Sequence, residues 1–149
     1  MTEVPIHILP HGDEKTLPRY ETVGSAGLDL PAAIKEPIVL SPGERQLIPT
    51  GFSCAIPSGH EGQIRSRSGL SWKQGIIVLN APATIDSDHR GEIKVILINM
   101  GKEPFTIDPG MRIAQLVFAK YVKTTWKVVQ GLEAYPTDRG AGGFGSTGV

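Results

Sequence analysis

Residues 46–56, Gln-Leu-Ile-Pro-Thr-Gly-Phe-Ser-Cys-Ala-Ile, form a short apolar run that contains Pro49. Similar runs rich in Val, Ile, Leu, Phe and Thr lie around it, at residues 37–40, 92–99, 105–107 and 112–121. Prolines separate these runs and break nearly every window that is long enough for a helix. Many short strands with turn residues between them are typical of a sandwich or barrel. The sequence therefore predicts an all-β fold.

One segment has the features of a helix. Residues 68–74, Ser-Gly-Leu-Ser-Trp-Lys-Gln, begin with a serine and are followed by Gly75. Serine commonly begins a helix and glycine commonly ends one, so we expect one short helix here. We also expect a last strand over residues 124–131.

The composition fits one folded domain with a separate tail. A chain of 149 residues has the size of one domain, and 40% hydrophobic residues exclude a disordered chain. From Tyr135 onward, Gly, Ser, Thr and Ala dominate, and such a segment cannot bury enough apolar surface to fold alone. We predict a β-domain over residues 1–134 and a glycine-rich C-terminal tail over residues 135–149.

Charge and hydropathy exclude several kinds of partner. Lys plus Arg and Asp plus Glu are 15 each, so the net charge is zero, whereas a protein that coats nucleic acid carries a basic excess. We expect no nucleic-acid partner, but a few arginines could hold a small anion. No apolar run approaches the ~20 residues of a membrane helix, and the N-terminus does not resemble a signal peptide. With a single cysteine, Cys54, these features predict a cytoplasmic protein without a membrane partner.

The tail has the composition of a polyphosphate-binding loop. Its glycines let backbone amides approach an anion, while Ser146, Thr147 and Arg139 add further donors. No lysine follows the last glycine, so the tail is not a Walker A loop. The alternative is a flexible linker, and Phe144 argues against it because a linker gains nothing from an exposed aromatic ring.

Residues 85–92, Ile-Asp-Ser-Asp-His-Arg-Gly-Glu, carry two carboxylates two positions apart. On an extended chain, Asp86 and Asp88 point to the same side. One could act as a general base for water while the other pairs with Arg90. The alternative is a polar hairpin turn, in which Asp, Ser and Gly are the expected residues.

Residues 66–70, Ser-Arg-Ser-Gly-Leu, bring a hydroxyl and a guanidinium to the expected start of the helix. The amides and the dipole of a helix N-terminus favour a phosphate. The alternative is an N-cap serine beside a surface arginine.

Two further polar residues stand in apolar surroundings. Asp29 lies between Leu28 and Leu30, so its burial would require a partner; the alternative is an edge-strand aspartate that faces water. Gln115, in the segment Gly-Met-Arg-Ile-Ala-Gln-Leu at residues 110–116, could donate to an oxyanion or merely pair with a neighbouring strand.

In their order along the chain, residues 26–30, 66–70, 80–92, 110–116 and 139–148 resemble the five motifs of the trimeric dUTPase family. The resemblance implies a distorted jelly roll, β-clip-like, and a homotrimer with three sites at subunit interfaces. Each site would take motifs one, two and four from one subunit, motif three from a second and the tail from a third. It also implies Mg²⁺-dependent hydrolysis of dUTP to dUMP and pyrophosphate. This reaction limits uracil incorporation into DNA and supplies dUMP for thymidylate synthesis.

The same resemblance implies a role for individual residues. Asp86 corresponds to the aspartate that activates water, and Asp29 to the aspartate that holds Mg²⁺ through water. The residues implied in phosphate binding are Arg67, Ser68, Gly69, Gln115, Arg139, Ser146 and Thr147. Those implied in binding uracil and deoxyribose are Asn80, His89 and Phe144.

Three positions depart from the family pattern, and one of them bears on specificity. His89 stands where the family usually has a tyrosine that packs on the deoxyribose and leaves no room for a 2′-hydroxyl. Imidazole is smaller and can hydrogen-bond a hydroxyl, so we expect weaker exclusion of UTP or pH-dependent affinity near neutrality. Ala83 replaces a common glycine and could stiffen its loop. Ser66 replaces a common proline without an expected effect.

Three other functions are compatible with parts of the sequence. A dCTP deaminase-like enzyme shares the expected fold, but the tail and the context of Asp86 argue against it. A dUTP-binding regulator with little turnover would suit the altered position 89. A carbohydrate-binding jelly roll would leave the clustered Arg, Gly and Ser residues unexplained.

Overall fold

The computed structural model describes residues 2–143, which form eleven strands, one α-helix and one 3-10 turn at Glu14–Thr16. The strands are β1 (Ile6–Ile8), β2 (Leu28–Pro31), β3 (Ile38–Leu40), β4 (Arg45–Pro49), β5 (Phe52–Cys54), β6 (His60–Arg65), β7 (Ile76–Val78), β8 (Ala83–Ile85), β9 (Lys94–Asn99), β10 (Phe105–Ile107) and β11 (Arg112–Lys120). The helix is α1 (Ser68–Gln74). The prediction of an all-β fold with one short helix is confirmed.

The strands form four antiparallel sheets. One has the order β2-β11-β6-β8, another has the order β4-β9-β7, and β1-β5 and β10-β3 form two-stranded pairs. Strand β11 lies between β2 and β6, with Gln115 opposite Asp29 on one side and opposite Arg65 on the other. This register brings segments together that are far apart in the sequence.

The run at residues 46–56 forms two strands instead of one. The chain turns at Gly51, whose φ of +79° lies in the left-handed region that favours glycine. Gly12 packs directly on this turn, since a Cβ at position 12 would overlap the Gly51 carbonyl oxygen. The sharp turn separates β4, which pairs with β9, from β5, which pairs with β1.

Alternating residues of the strands build the core. Along β9, Val95, Leu97 and Asn99 are buried, and Ile48 and Phe52 from β4 and β5 pack in the same cluster. Each fully buried aliphatic side chain contributes about 1.5–3 kcal/mol to folding. The buried amide of Asn99 donates to the carbonyl oxygens of Leu40 and Glu103, so its polar atoms are satisfied.

Helix α1 spans the predicted residues, but its cap differs from the expected one. The N-cap is Arg67, with extended backbone and no side-chain cap, and Ser68 is the first helical residue. The alternative of an N-cap serine at the start of this segment is therefore wrong. Ser71 donates from its hydroxyl to the Arg67 carbonyl, and Gly75 ends the helix with a φ of +69°.

The expected last strand at residues 124–131 is wrong, because no described strand lies beyond Lys120. The segment has no neighbouring strand to take its backbone hydrogen bonds, and the Trp126 side chain is 96% exposed. The division into a domain and a tail at residue 135 stays a prediction. Over residues 2–143, no helix is long and apolar enough to cross a membrane.

Candidate active site

Asp29 lies at the centre of a charged cluster that joins β2, β11 and the start of α1. Its Oδ1 is 3.2 Å from Arg67 Nε, and its Oδ2 is 3.1 Å from Arg112 Nη1. Arg112 Nη1 also lies 3.1 Å from Glu21 Oε1. The Asp29 side chain is only 17% exposed, so the expectation that its burial requires a partner is met by two arginines.

Gln115 lies beside this cluster and is held at both ends of its amide. Its Nε2 donates to the Ser66 carbonyl at 2.9 Å, and its Oε1 faces Gly27 so closely that a Cβ there would overlap it. Ser66 in turn accepts from the Val78 amide through its hydroxyl. Gln115 therefore ties motif two to β11 instead of pairing with a strand neighbour.

Two clefts flank the cluster, and Arg112 lines both. One, of about 400 Å³, is lined at the start of α1 by Arg67, Gly69, Leu70, Lys73, Gln74, Phe105, Met111 and Arg112. The other, also about 400 Å³, is lined by Arg112 together with Lys15, Arg19, Glu21 and Asp29. Ser68 and Gly69 are exposed at the first helical turn, beside the first cleft. The cluster therefore offers several cationic donors to a polyphosphate.

Asp86 lies in a different part of the molecule. Ile85 pairs with Gly62 of β6, and Asp86 follows it in a cleft of about 410 Å³ that Glu61, Asp88 and Lys123 also line. Asp86 is exposed and, within residues 2–143, has no ion pair. Its carboxylate is therefore free to accept a hydrogen bond from water.

Two expectations for the loop after Asp86 are wrong, namely the pairing of Arg90 with a carboxylate and the hairpin, while a general base in this loop stays a prediction. Arg90 does not pair with a carboxylate, because its Nη1 donates to the carbonyl oxygens of Ser87 and His89 at 2.7 and 2.9 Å. The His89 amide donates to the Asp86 carbonyl and closes a turn. This turn is not a hairpin, since β8 pairs with β6 while β9 pairs with β4 and β7.

Asn80 and His89 are both exposed on loops around β8. Asn80 lies in the turn between β7 and β8, just before a cis Ala81–Pro82 peptide bond, and the two strands belong to different sheets. The His89 ring lies over Gly91, where an added Cβ would come within 2.9 Å of the imidazole. Both side chains are therefore open to a ligand.

Strand β6 separates the two groups of site residues. Its Gly62 neighbours the Asp86 segment, whereas its Arg65 faces Gln115. At about 3.3 Å per residue, the Asp86 position lies roughly 15–20 Å along this strand from Arg67. One chain therefore brings together Asp29, Arg67 and Gln115 but leaves Asp86 apart.

Among residues 135–143 of the tail, Arg139 is not brought to either group. Arg139 Nε donates to the Gly142 carbonyl of its own segment at 2.8 Å. Phe144, Ser146 and Thr147 lie outside the described residues. Arg112 and Glu21, in contrast, join the Asp29 cluster although sequence reasoning did not single them out; Arg112 stands within the motif-four segment, and only the strand register reveals its partner.

The described residues contain no dedicated metal cage. Among residues 2–143, no group of three or more His, Cys, Asp or Glu side chains could hold a metal ion. Each carboxylate oxygen of Asp29 already faces one arginine, which leaves lone pairs for water molecules.

The chain has antiparallel sheets, a basic cleft at the start of a helix and a separate exposed carboxylate. This combination is typical of an all-β enzyme that acts on a phosphorylated substrate. The dUTPase family model matches residues 13–148. The deoxyuridine 5′-triphosphate nucleotidohydrolase of Rhizobium meliloti (strain 1021) is 57% identical over 143 residues, which cover 95% of this chain and 88% of that protein. The chain belongs to the dUTPase family, and the predicted resemblance and enzyme class, dUTP diphosphatase, are confirmed.

Solved structures agree with this assignment. A Staphylococcus bacteriophage 80alpha dUTPase mutant with dUpNHpp matches with a TM-score of 0.88 and 25% identity, covering 100% of both chains. A mutant dUTPase from phage phi11 of S. aureus, which coordinates a structural Mg(II) ion, matches with a TM-score of 0.78 and 23% identity, covering 89% of this chain and 99% of that chain. The jelly-roll-like fold is thereby confirmed.

Proposed function

We propose that the chain hydrolyses dUTP to dUMP and pyrophosphate by attack of water on the α-phosphorus, with Mg²⁺, in sites shared between the subunits of a homotrimer. The observation that carries this proposal is the separation of Asp86 from the Asp29 cluster along β6. A single chain holds both halves of a hydrolytic site but does not join them. The family membership supplies the substrate class, and the biological roles are dUMP supply and exclusion of uracil from DNA.

Arg67, Ser68, Gly69 and Gln115 bind the phosphates in this proposal. Arg67 presents a planar fork at the start of α1, where backbone amides also point toward an anion. Gln115 is fixed by Ser66 and by its close approach to Gly27. Phosphoryl transfer depends chiefly on such positioning and on charge neutralisation, so a preformed set of donors suits the reaction.

Asp86 acts as the general base. Its exposed carboxylate has no ion pair within residues 2–143, so it is open to accept a hydrogen bond from the attacking water. It takes a proton from the attacking water while the bond from the α-phosphorus to the bridging oxygen breaks and pyrophosphate leaves. A well-placed general base contributes about 10²–10⁴ in rate.

The donor set near the phosphates fits Mg²⁺ that arrives with the substrate. Mg²⁺ keeps several waters and is commonly held by phosphate oxygens, and it neutralises the charge that develops on the leaving group. Asp29 would hold the water molecules around Mg²⁺, because each of its carboxylate oxygens contacts one arginine and keeps a lone pair for water. The structural Mg(II) ion of the phi11 relative supports an interaction of the fold with this metal.

Two apolar surfaces support a trimer. On the outer face of the β4-β9-β7 sheet, Leu47 lies opposite Ile96 and Ile77 opposite Ile98. Strands with apolar residues on both faces are typical of sheets that are covered on both sides, yet Leu47 is 52% exposed in the single chain. Residues 122–135 add further exposed apolar side chains. We expect neighbouring subunits to cover both surfaces.

Asn80, His89 and Phe144 bind the uracil and the deoxyribose in the proposed complex. Asn80 and His89 are exposed on the loops before and after β8, which suits contact with the nucleoside. The tail closes the site, with Arg139, Ser146 and Thr147 on the γ-phosphate. The assignment of the tail and Phe144 rests on their motif alone.

The decisive experiment measures pyrophosphate release from dUTP, dTTP, dCTP and UTP, each with Mg²⁺ and with EDTA. Wild type and Asp86→Asn are compared, because the amide keeps the shape of the carboxylate but cannot take the proton. We expect Mg²⁺-dependent turnover of dUTP that the variant loses by about 10²–10⁴. Ammonia release from dCTP would favour a deaminase, and tight dUTP binding without pyrophosphate release would favour a regulator.

A further inference from the structure

Arg112 contacts several other residues of the Asp29 cluster. One nitrogen, Nη1, lies 3.1 Å from Asp29 Oδ2 and 3.1 Å from Glu21 Oε1. Its backbone carbonyl accepts a hydrogen bond of 2.8 Å from Arg67 Nη1. Arg112 thus contacts both the carboxylate and the arginine of the proposed phosphate site.

Arg67 is engaged in the chain without nucleotide in a way that conflicts with its proposed role. Its Nε faces Asp29 and its Nη1 donates to the Arg112 carbonyl, so part of its donor fork is used inside the protein. Binding a phosphate requires this fork to turn outward, at least in part. Asp29 would then lose one of its two counter-charges while it is only partly exposed to water.

We propose that Arg112 is a positioning residue that keeps the Asp29 carboxylate oriented when Arg67 turns from Asp29 to the phosphates. The inference rests on the proposed function, because it assigns Arg67 and Asp29 their places around the nucleotide. The ion pair with Glu21 holds the Arg112 side chain. The strand register holds its backbone, since Arg112 lies opposite Pro31, two residues beyond Asp29. Arg112 acts through Asp29 and makes no required contact with the substrate.

A double-mutant cycle tests this mechanism by binding instead of turnover. Calorimetry would measure the dissociation constant of Mg²⁺ and dUpNHpp for wild type, Arg112→Gln, Asp29→Asn and the double variant. We expect each single change to weaken binding by about tenfold and the double variant to bind no more weakly than Asp29→Asn. Additive losses of about a hundredfold would overturn the inference, since Arg112 would then bind the nucleotide directly.

Matched variants separate this role from general charge and from folding. Arg19→Gln removes a cation from the same cleft without touching Asp29, and we expect binding within about twofold of wild type. Arg112→Lys keeps one charge but not the planar fork, so it should recover part of the affinity. An equal loss in Arg19→Gln, or no loss in Arg112→Gln, would contradict the proposal.

Two controls keep the test interpretable. Thermal unfolding and sizing establish that each variant is folded and assembled like wild type; if Arg112→Gln is not, Arg112→Lys replaces it in the cycle. If wild type does not bind dUpNHpp, the proposed function fails. If wild type binds it and hydrolyses dUTP while the cycle is additive, only the role of Arg112 fails.

Discussion

The two halves of the candidate site differ in how far one chain completes them. Around Asp29, two arginines and a second carboxylate are already paired at 3.1–3.2 Å before any ligand binds. Around Asp86, the carboxylates are exposed and no cation within residues 2–143 pairs with them. The first half is held together by ion pairs within one chain, whereas the second is left open.

This difference has a chemical reason. A phosphate site gains from donors that are already oriented, because their reorganisation does not then oppose binding. A general base must instead keep a free lone pair, and a permanent arginine beside it would lower its affinity for the proton. Because the two halves lie at opposite ends of β6, Arg67 and Arg112 lie away from Asp86 within one chain.

The largest expected effect is the recovery of turnover when two inactive variants are mixed. Asp86→Asn and Arg67→Gln, co-refolded in equal amounts, should regain about a quarter of wild-type turnover, because random mixing gives that share of sites both intact halves. Each variant alone should be lower by about 10²-fold or more. Pyrophosphate release from dUTP is the measurement.

The control for mixing is Asp86→Asn co-refolded with Asp86→Asn labelled by a different tag. This mixture should stay inactive, although it forms the same hybrid trimers. Recovery in neither mixture would mean that both halves of the site come from one chain.

Removal of the tail tests whether the residues around Asp29 are sufficient for turnover without residues 137–149. Deleting residues 137–149 should lower turnover by about 10²-fold or more, since closure over the phosphates excludes water and adds donors. The sheets end at Lys120, so thermal unfolding and trimer size should stay as in wild type. Dissociation of the truncated protein in sizing experiments would contradict the division at residue 135.

The parts that sequence analysis predicted well depend on local signals. Strand β10 and helix α1 have the predicted bounds, because a short apolar run and a serine-to-glycine segment specify them without distant contacts. The break at Gly51 was not predicted, because the contact with Gly12 that accompanies the turn comes from another part of the chain. Residues 124–131 have the composition of a strand but no partner strand in the same chain.

The roles of the site residues stay predictions, and their contacts were not predictable from the sequence. Motif order identified Asp29 and Gln115, and their apolar surroundings indicated that Asp29 needed a partner. Which partner it has depends on the register of β2 and β11, which no local pattern specifies. For the same reason, the expectation that Arg90 pairs with a carboxylate is wrong, because Arg90 donates to two backbone carbonyls.

His89 tests the open half of the site. His89→Tyr should raise the preference for dUTP over UTP by about tenfold, because a larger ring leaves no room for a 2′-hydroxyl. Competition between the two nucleotides measures this preference; equal selectivity in the two proteins would refute the prediction.

Glu92 anchors the end of the loop that carries Asp86 and His89. It accepts hydrogen bonds from His11 Nε2 at 2.6 Å and from the Gly51 amide at 3.0 Å. Burial alone would raise the pKa of this carboxyl, but the hydrogen bonds from His11 and Gly51, with the charges of His11 and Lys94, outweigh it and lower the pKa below its ordinary value of 4.5. The loop that carries Asp86 and His89 is therefore held in place at Glu92, although Asp86 and Asp88 have no ion pair within residues 2–143.

The smallest expected effect is the contribution of this anchor to stability. A carboxyl whose pKa is lower in the folded state stabilises the fold above its ordinary pKa and loses this contribution as the pH falls through the folded value. Glu92→Gln should therefore cost about 1 kcal/mol near neutral pH, and the difference from wild type should shrink in acid. Urea unfolding across pH measures it, with the exposed Glu36→Gln as a control that should show no such trend. A difference that stays constant in acid would mean that the Glu92 carboxylate charge is not what holds the loop.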